Sequence, residues 1–140
     1  MTLKEFEKLI NFYSFKKYFL SMDFFTKEVE ILGRSNKVLS VICRNSFLQL
    51  EINCYENSVS ISISKSDLDY FTLRGFLIAK KIFTVFQMDE FEFSRNYKSR
   101  EEMLKAYLDL LEQTTKDHLV EVLTGKVWIK IPPDFSVAGR

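Results

Sequence analysis

Apolar side chains return every three or four positions over the first stretch of the chain, at Leu3, Phe6, Leu9, Ile10 and Tyr13, with Glu5, Lys8 and Lys16 turned away. That is the period of a helix with one buried face. Thr2 and Glu5 stand at capping-box spacing, where hydroxyl and carboxylate satisfy orphan N–H groups of a first turn. The first helix therefore runs from there to about Tyr18 or Leu20. The period then changes from 3.6 to 2. Apolar positions alternate from Phe25 through Val29 to Ile31, Gly33-Arg34-Ser35-Asn36 forms a turn cluster, and three alternating runs follow at Val38 to Arg44, Phe47 to Tyr55 and Ser58 to Ser64. Two-residue turns at Asn45-Ser46 and Glu56-Asn57 set Cys43 opposite Leu48, Val41 opposite Leu50 and Leu39 opposite Ile52. They also set Cys54 opposite Val59, Ile52 opposite Ile61 and Leu50 opposite Ile63. Every one of these residues is apolar and all share one face, a consistency that a one-residue slip destroys.

Beyond the sheet, Ser66-Asp67-Leu68-Asp69 reads as a second helix start, with aspartates complementing the dipole and Leu68, Phe71, Gly75, Ile78, Ala79 and Ile82 as a stripe to about Lys81. The segment Thr84 to Tyr97 alternates aromatic and acidic residues and is compatible with one short edge strand. Ser99 and Glu102 form another capping box. Leu104, Tyr107, Leu108, Leu111, Thr115, His118, Leu119 and Val122 make a long stripe that ends at Thr124-Gly125, where glycine supplies a left-handed cap. Val127 to Pro133 reads as a short extended segment closed by prolines. The expected fold is α+β, an antiparallel meander of four or five strands with helices packed on its apolar face.

Composition adds bounds. A chain of 140 residues that is 46% hydrophobic, with no Gly/Ser- or Pro-rich linker and no internal repeat, implies a single domain spanning 1–140. Twenty Lys+Arg against nineteen Asp+Glu give a net charge of +1, too little surplus for counterion-driven nucleic-acid binding. The start is amphipathic rather than signal-like and no long apolar run occurs, so a cytoplasmic location without a membrane span is expected. Cys43 and Cys54 fall too far apart along neighbouring strands to pair, so both are expected as free, buried thiols.

Candidate chemistry is sparse. His118 lies on or beside a helix stripe, with no serine or cysteine placed near it by sequence. One His and two strand cysteines lack metal-ligand spacing. Asp67 and Asp69 read as helix-capping groups, and Asp89, Glu90 and Glu92 as charges that interrupt an aromatic stretch. No GxGxxG, P-loop or HExxH occurs. The expectation is therefore no catalytic residue, no metal and no cofactor. The sheet's other face is more informative. It alternates to Ser40, Ile42, Arg44, Phe47, Gln49, Glu51, Asn53, Tyr55 and the serines at 58, 60, 62 and 64. Aromatic residues beside arginine have the composition of an interface anchor. Ile42, Arg44, Phe47, Gln49, Glu51, Asn53 and Tyr55 are accordingly the candidate partner-binding residues.

The order of elements, with Tyr18-Phe19-Leu20 and Asp23-Phe24-Phe25 at the end of the opening helix, Leu48-Gln49-Leu50-Glu51-Ile52 turning into Val59-Ser60-Ile61-Ser62-Ile63, Leu68-Asp69-Tyr70, and a closing amphipathic helix, resembles a class of small bacterial immunity proteins of polymorphic and contact-dependent-inhibition toxin systems. The resemblance implies a non-catalytic chain that neutralises a cognate protein toxin by blocking its active site. Many members that oppose nucleases are acidic, and the balance of +1 departs from that pattern. A dimer through the open sheet is compatible with this reading. The alternative, from another functional class, is a small-molecule-binding or enzymatic domain with a pocket between sheet and helices, lined by the surplus among 14 Phe and 6 Tyr.

Overall fold

The structure, a computed structural model, describes residues 1–12, 17–19, 30–35 and 38–131. In chain order it contains α1 (Leu3–Phe12), β1 (Glu30–Ser35), β2 (Val38–Arg44), β3 (Gln49–Cys54), β4 (Val59–Ser66), β5 (Asp69–Thr72), α2 (Leu73–Ala79), α3 (Val85–Glu92), a 3-10 turn (Ser94–Asn96), α4 (Arg100–Thr114), a π turn (Thr115–Leu119) and α5 (Val120–Leu123). The fold is α+β, with five antiparallel strands in the order β1-β2-β3-β4-β5. Residues 17–19 are also helical. The expected course of the first helix through Tyr13, the alternation at Phe25 and Val29, and the closing prolines lie outside the described residues.

Strict alternation of branched and small polar residues makes β3 and β4 half-buried strands, since successive side chains leave a pleated backbone on opposite faces. The inner face carries cross-strand rows Val41, Ile52, Ile61 and Cys43, Leu50, Ile63, Phe71. Helices supply the other half of the core: Phe6 and Ile10 from α1, Phe76 and Leu77 from α2, Met88 from α3, and Met103, Leu104, Leu108 and Leu111 from α4, all buried. α2 lies against β4 and β5, and α4 against β4. Both cysteines are free and buried.

The second hairpin has the expected register, with Tyr55 and Ser58 closing a two-residue turn and Cys54 opposite Val59. The first hairpin is displaced by two residues. Cys43 faces Leu50, Val41 faces Ile52 and Leu39 faces Cys54, because the loop residues are Ser46-Phe47 rather than Asn45-Ser46. The cause is the Asn45 side chain. Its Oδ1 accepts from the N–H groups of Phe47 (2.9 Å) and Leu48 (2.8 Å), which places asparagine ahead of the bend, and its Nδ2 donates to the Leu123 carbonyl at 2.8 Å.

Three other expectations are corrected. Gly33 to Ser35 belongs to β1 and holds an irregularity in the β1/β2 ladder instead of forming the turn before β2. Ser66 to Asp69 does not start a helix. Ser66 pairs with Asp69 across a hairpin that opens β5, leaving Leu68 97% exposed at its tip, and the Asp69 carboxylate accepts the Trp128 indole N–H at 2.9 Å. The helix begins after Thr72, whose Oγ1 accepts from Gly75 N–H at 2.9 Å. Thr84 to Tyr97 holds α3 and the 3-10 turn rather than a strand, and α3 is initiated by a full capping box between Thr84 and Gln87.

Two helix ends use the same device with different residues. After α5, Gly125 has φ +79°, Lys126 N–H bonds to the Glu121 carbonyl and Gly125 N–H to that of Val122. After α2 the pattern repeats, from Ile82 to Leu77 and from Lys81 to Ile78, with Lys81 at φ +58°. Both are Schellman motifs.

Candidate protein-binding surface

The ladder register assembles the outer face of the sheet into rows. Arg44, Gln49, Ser64 and Tyr70 stand side by side across β2 to β5, as do Ile42, Glu51, Ser62 and Thr72, and then Ser40, Asn53 and Ser60. Along β3, Asn53 Nδ2 donates to Glu51 Oε2 at 3.3 Å, and two bonds tie polar neighbours across strands, Arg44 Nε to Gln49 Oε1 at 2.9 Å and Ser40 Oγ to Asn53 Oδ1 at 2.5 Å. Such cross-strand pairs hold the side chains in one arrangement and stiffen the surface.

Four of the seven candidate residues fall together on this face, namely Arg44, Gln49, Glu51 and Asn53, and Tyr55 continues their alternation at the β3 end, 39% exposed. Ile42 is not available there. It is 6% exposed and its neighbour Ser40 is fully buried, so the face is covered at these two positions of β2 and opens at Arg44 and from β3 onward. Alternation assigns a residue to a face but does not say whether that face is covered. Phe47 is also displaced from the row. Its turn folds back to the end of the helical layer, where the ring packs on Gly125, while the residue stays 55% exposed. Tyr70, at 58% exposure, belongs to the face through β5, which the sequence reading assigned to a helix.

Arg100 fixes the β3 end of the surface. From the first turn of α4 its Nε donates to the Tyr55 carbonyl at 2.9 Å and its Nη2 to the Cys54 carbonyl at 2.6 Å. The Cys54 thiol is pushed up by burial, an effect the nearby Arg100 charge opposes. A buried arginine, Arg74, binds Glu92 at 2.7 Å and Asp89 at 3.0 Å. The carboxylates that break the aromatic pattern of α3 are thus the groups that dock this helix on α2. Asp89 and Glu92 are therefore structural ion-pair partners, and their i, i+3 spacing on one helix face is the signal that could have identified them.

His118 stands apart from its expected stripe. Leu104, Tyr107, Leu108, Leu111, Thr115, Leu119 and Val122 are buried, whereas His118 is exposed. Thr115 Oγ1 donates back to the Leu111 carbonyl at 2.7 Å, and the following turn is π-helical. The extra residue in that turn rotates the helix beyond it by about 100°. Leu119 takes the buried slot and His118 moves to the flank, its ring 6.3 Å from that of Phe76. Among the described residues no group of three or more His, Cys, Asp or Glu has metal-holding geometry, and no helix is long and apolar enough to cross a membrane.

Comparison with protein-family models, curated proteins and solved structures yields no match to this chain.

Proposed function

We propose that this chain is a non-catalytic protein-binding domain, and within that class a cytoplasmic bacterial immunity protein that neutralises a cognate toxin by covering its active site. The observation that supports the reading is the outer sheet face over β3 to β5. It is laced by side-chain hydrogen bonds, backed by the hydrophobic core, and edged by exposed Tyr55 and Tyr70. Tyrosine and arginine side chains, here Tyr55, Tyr70 and Arg44, are the residue types enriched at protein-binding hot spots. Three strands of this length present roughly 300 Å², against about 800 Å² per partner in a stable complex. The aromatic rim and the exposed Leu68 tip must therefore take part, and the partner must reach beyond the strands.

We place the alternative, a pocket between sheet and helices, second, because among the described residues the inner side chains of β2 to β5 and those of α1 to α4 join in one hydrophobic core cluster.

The test is co-expression with the toxin domain encoded beside this gene. The wild-type chain is expected to restore growth and to co-purify with that domain, and a Tyr70→Asp/Gln49→Lys double variant is expected to fold and to lose both effects. A neighbouring gene that encodes no toxin, or a toxin that is neither bound nor neutralised, sinks the immunity reading. Full protection by the double variant removes the sheet face as its site.

A further inference from the structure

A groove of about 630 Å³ opens on the outside of the helical layer, where the end of α2, the π turn, α5 and the segment 127–131 meet. Its floor is apolar, formed by Phe76, Ile82, Val122 and Ile129. Its volume lies within the range of ordinary ligand sites. The rim carries both signs of charge. Lys116 and Asp117 are already engaged, the first with Glu112 at 3.5 Å and with the Tyr18 ring, the second with the Gln113 amide at 2.9 Å. Lys80, His118 and Glu121 also line the groove and are exposed. Among the described residues neither the Lys80 ammonium nor the Glu121 carboxylate has an ion-pair partner.

Two features of the backbone create this arrangement. The π turn takes His118 off the core stripe and delivers it to the groove. The Schellman end of α2, with its positive φ at Lys81, stops the helix where Lys80 reaches the rim. π turns of this kind, inserted in α-helices, are frequent at functional sites.

We infer that the groove is a binding site for a small zwitterion with an apolar body, of the chemical class of an apolar dipeptide. The carboxylate meets Lys80 and His118, the ammonium meets Glu121, and the side chains lie on the Phe76, Ile82, Val122 and Ile129 floor. A purely anionic ligand is opposed by Glu121 and Asp117, and a purely cationic one by Lys80 and Lys116. A single free amino acid would leave much of the volume to water. The inference is independent of the toxin reading, since it uses a different surface.

The chain provides two built-in reporters. His118 is its one histidine, so its Cε1–H is a single NMR resonance, and Trp128, its one tryptophan, lies between groove residues Val127 and Ile129. Titration of the full chain with leucyl-leucine is expected to give a saturable shift of the His118 resonance and a parallel change in Trp128 fluorescence. N-acetyl-leucyl-leucine amide, which has neither charge, is expected to bind at least about tenfold more weakly, as are Lys80→Gln and Glu121→Gln with the free dipeptide. Both residues are exposed, so circular dichroism should show an unchanged fold. Absence of a saturable shift at millimolar leucyl-leucine overturns the site. Equal binding of the capped dipeptide, or unaltered affinity in both variants, overturns the zwitterion.

Discussion

Gly125 tests how the first hairpin is held against the helical layer. A Cβ built on this residue falls 2.5 Å from Phe47 Cγ and 2.6 to 2.7 Å from both Cδ atoms, so the ring lies over the glycine and must move if a methyl group is added. The residue also has φ +79°, a conformation that disfavours any side chain by about 1–2 kcal/mol. Phe47 is 55% exposed, so displacing it forfeits about half of a phenylalanine's burial, about 1 kcal/mol. Gly125→Ala is therefore expected to destabilise the chain by about 2–3 kcal/mol. At this chain length that lowers the melting temperature by roughly 3–5 °C per kcal/mol.

A double-mutant cycle separates the two contributions. Phe47→Ala alone should be destabilising by about 1 kcal/mol, and Gly125→Ala on that background should retain only the backbone part. Urea unfolding of the four proteins should then show sub-additivity of about 1 kcal/mol. Strict additivity would mean that the ring is elsewhere in solution, and a neutral Gly125→Ala would remove the left-handed helix cap as well.

Lys81→Gly should stabilise by about 1 kcal/mol in chemical denaturation, because it relieves positive φ in a Schellman motif whose hydrogen bonds are otherwise unchanged; a loss of stability contradicts the assigned helix end. Arg74→Ala should destabilise by about 2–3 kcal/mol, since it strands Asp89 and Glu92 at the α2/α3 contact, with Arg74→Met milder because it keeps the buried stem. If the two variants lose the same stability, charge rather than stem packing holds α3. Cys54, Tyr97 and Tyr107 are all pushed up by burial, so the folded state holds their protons more tightly than the unfolded chain does. Their contribution is intact below the ordinary values of 9.0 and 10.0 and is lost as pH rises beyond them, so stability measured from pH 8 to 11 should fall. Tyr107→Phe removes a buried hydroxyl that has no hydrogen-bond partner in the described structure; it should be neutral or stabilising by up to about 1 kcal/mol and should flatten the alkaline decline.

Where the sequence reading of the sheet succeeds and where it slips have one cause. Alternation has a period of two, so it assigns Cys43, Val41, Leu50 and Ile61 to the inner face whatever the turn, and all of them are there. For the same reason it cannot distinguish registers that differ by two residues, because each sets apolar residues opposite apolar residues. The second hairpin was legible because Tyr55 and Ser58 bracket an unambiguous two-residue turn. In the first, only the Asx geometry of Asn45 selects between candidates, and part of what holds Asn45 is the Leu123 carbonyl, 78 residues away in sequence. α3 was obscured differently. Its only buried residue is Met88, so no stripe announces a helix, yet the Thr84/Gln87 capping box was written in the chain.

The site divides along similar lines. Arg44, Gln49, Glu51 and Asn53 were readable as neighbours because face assignment survives a two-residue slip. Ile42 was not readable as covered, since coverage depends on elements beyond the strand. His118 shows the sharper limit. By ideal geometry it lies seven residues, nearly two full turns, after Leu111 and belongs in the middle of the buried stripe. One inserted residue in the π turn reverses that outcome, and the apolar pattern tolerates the insertion because Leu119 directly follows His118 and fills the vacated position. A helix stripe with two adjacent residues able to serve the same core slot therefore encodes two helical phases. The Thr115 hydroxyl bonded to the Leu111 carbonyl marks where the phase changes, and the polar residue displaced by that change becomes available for binding.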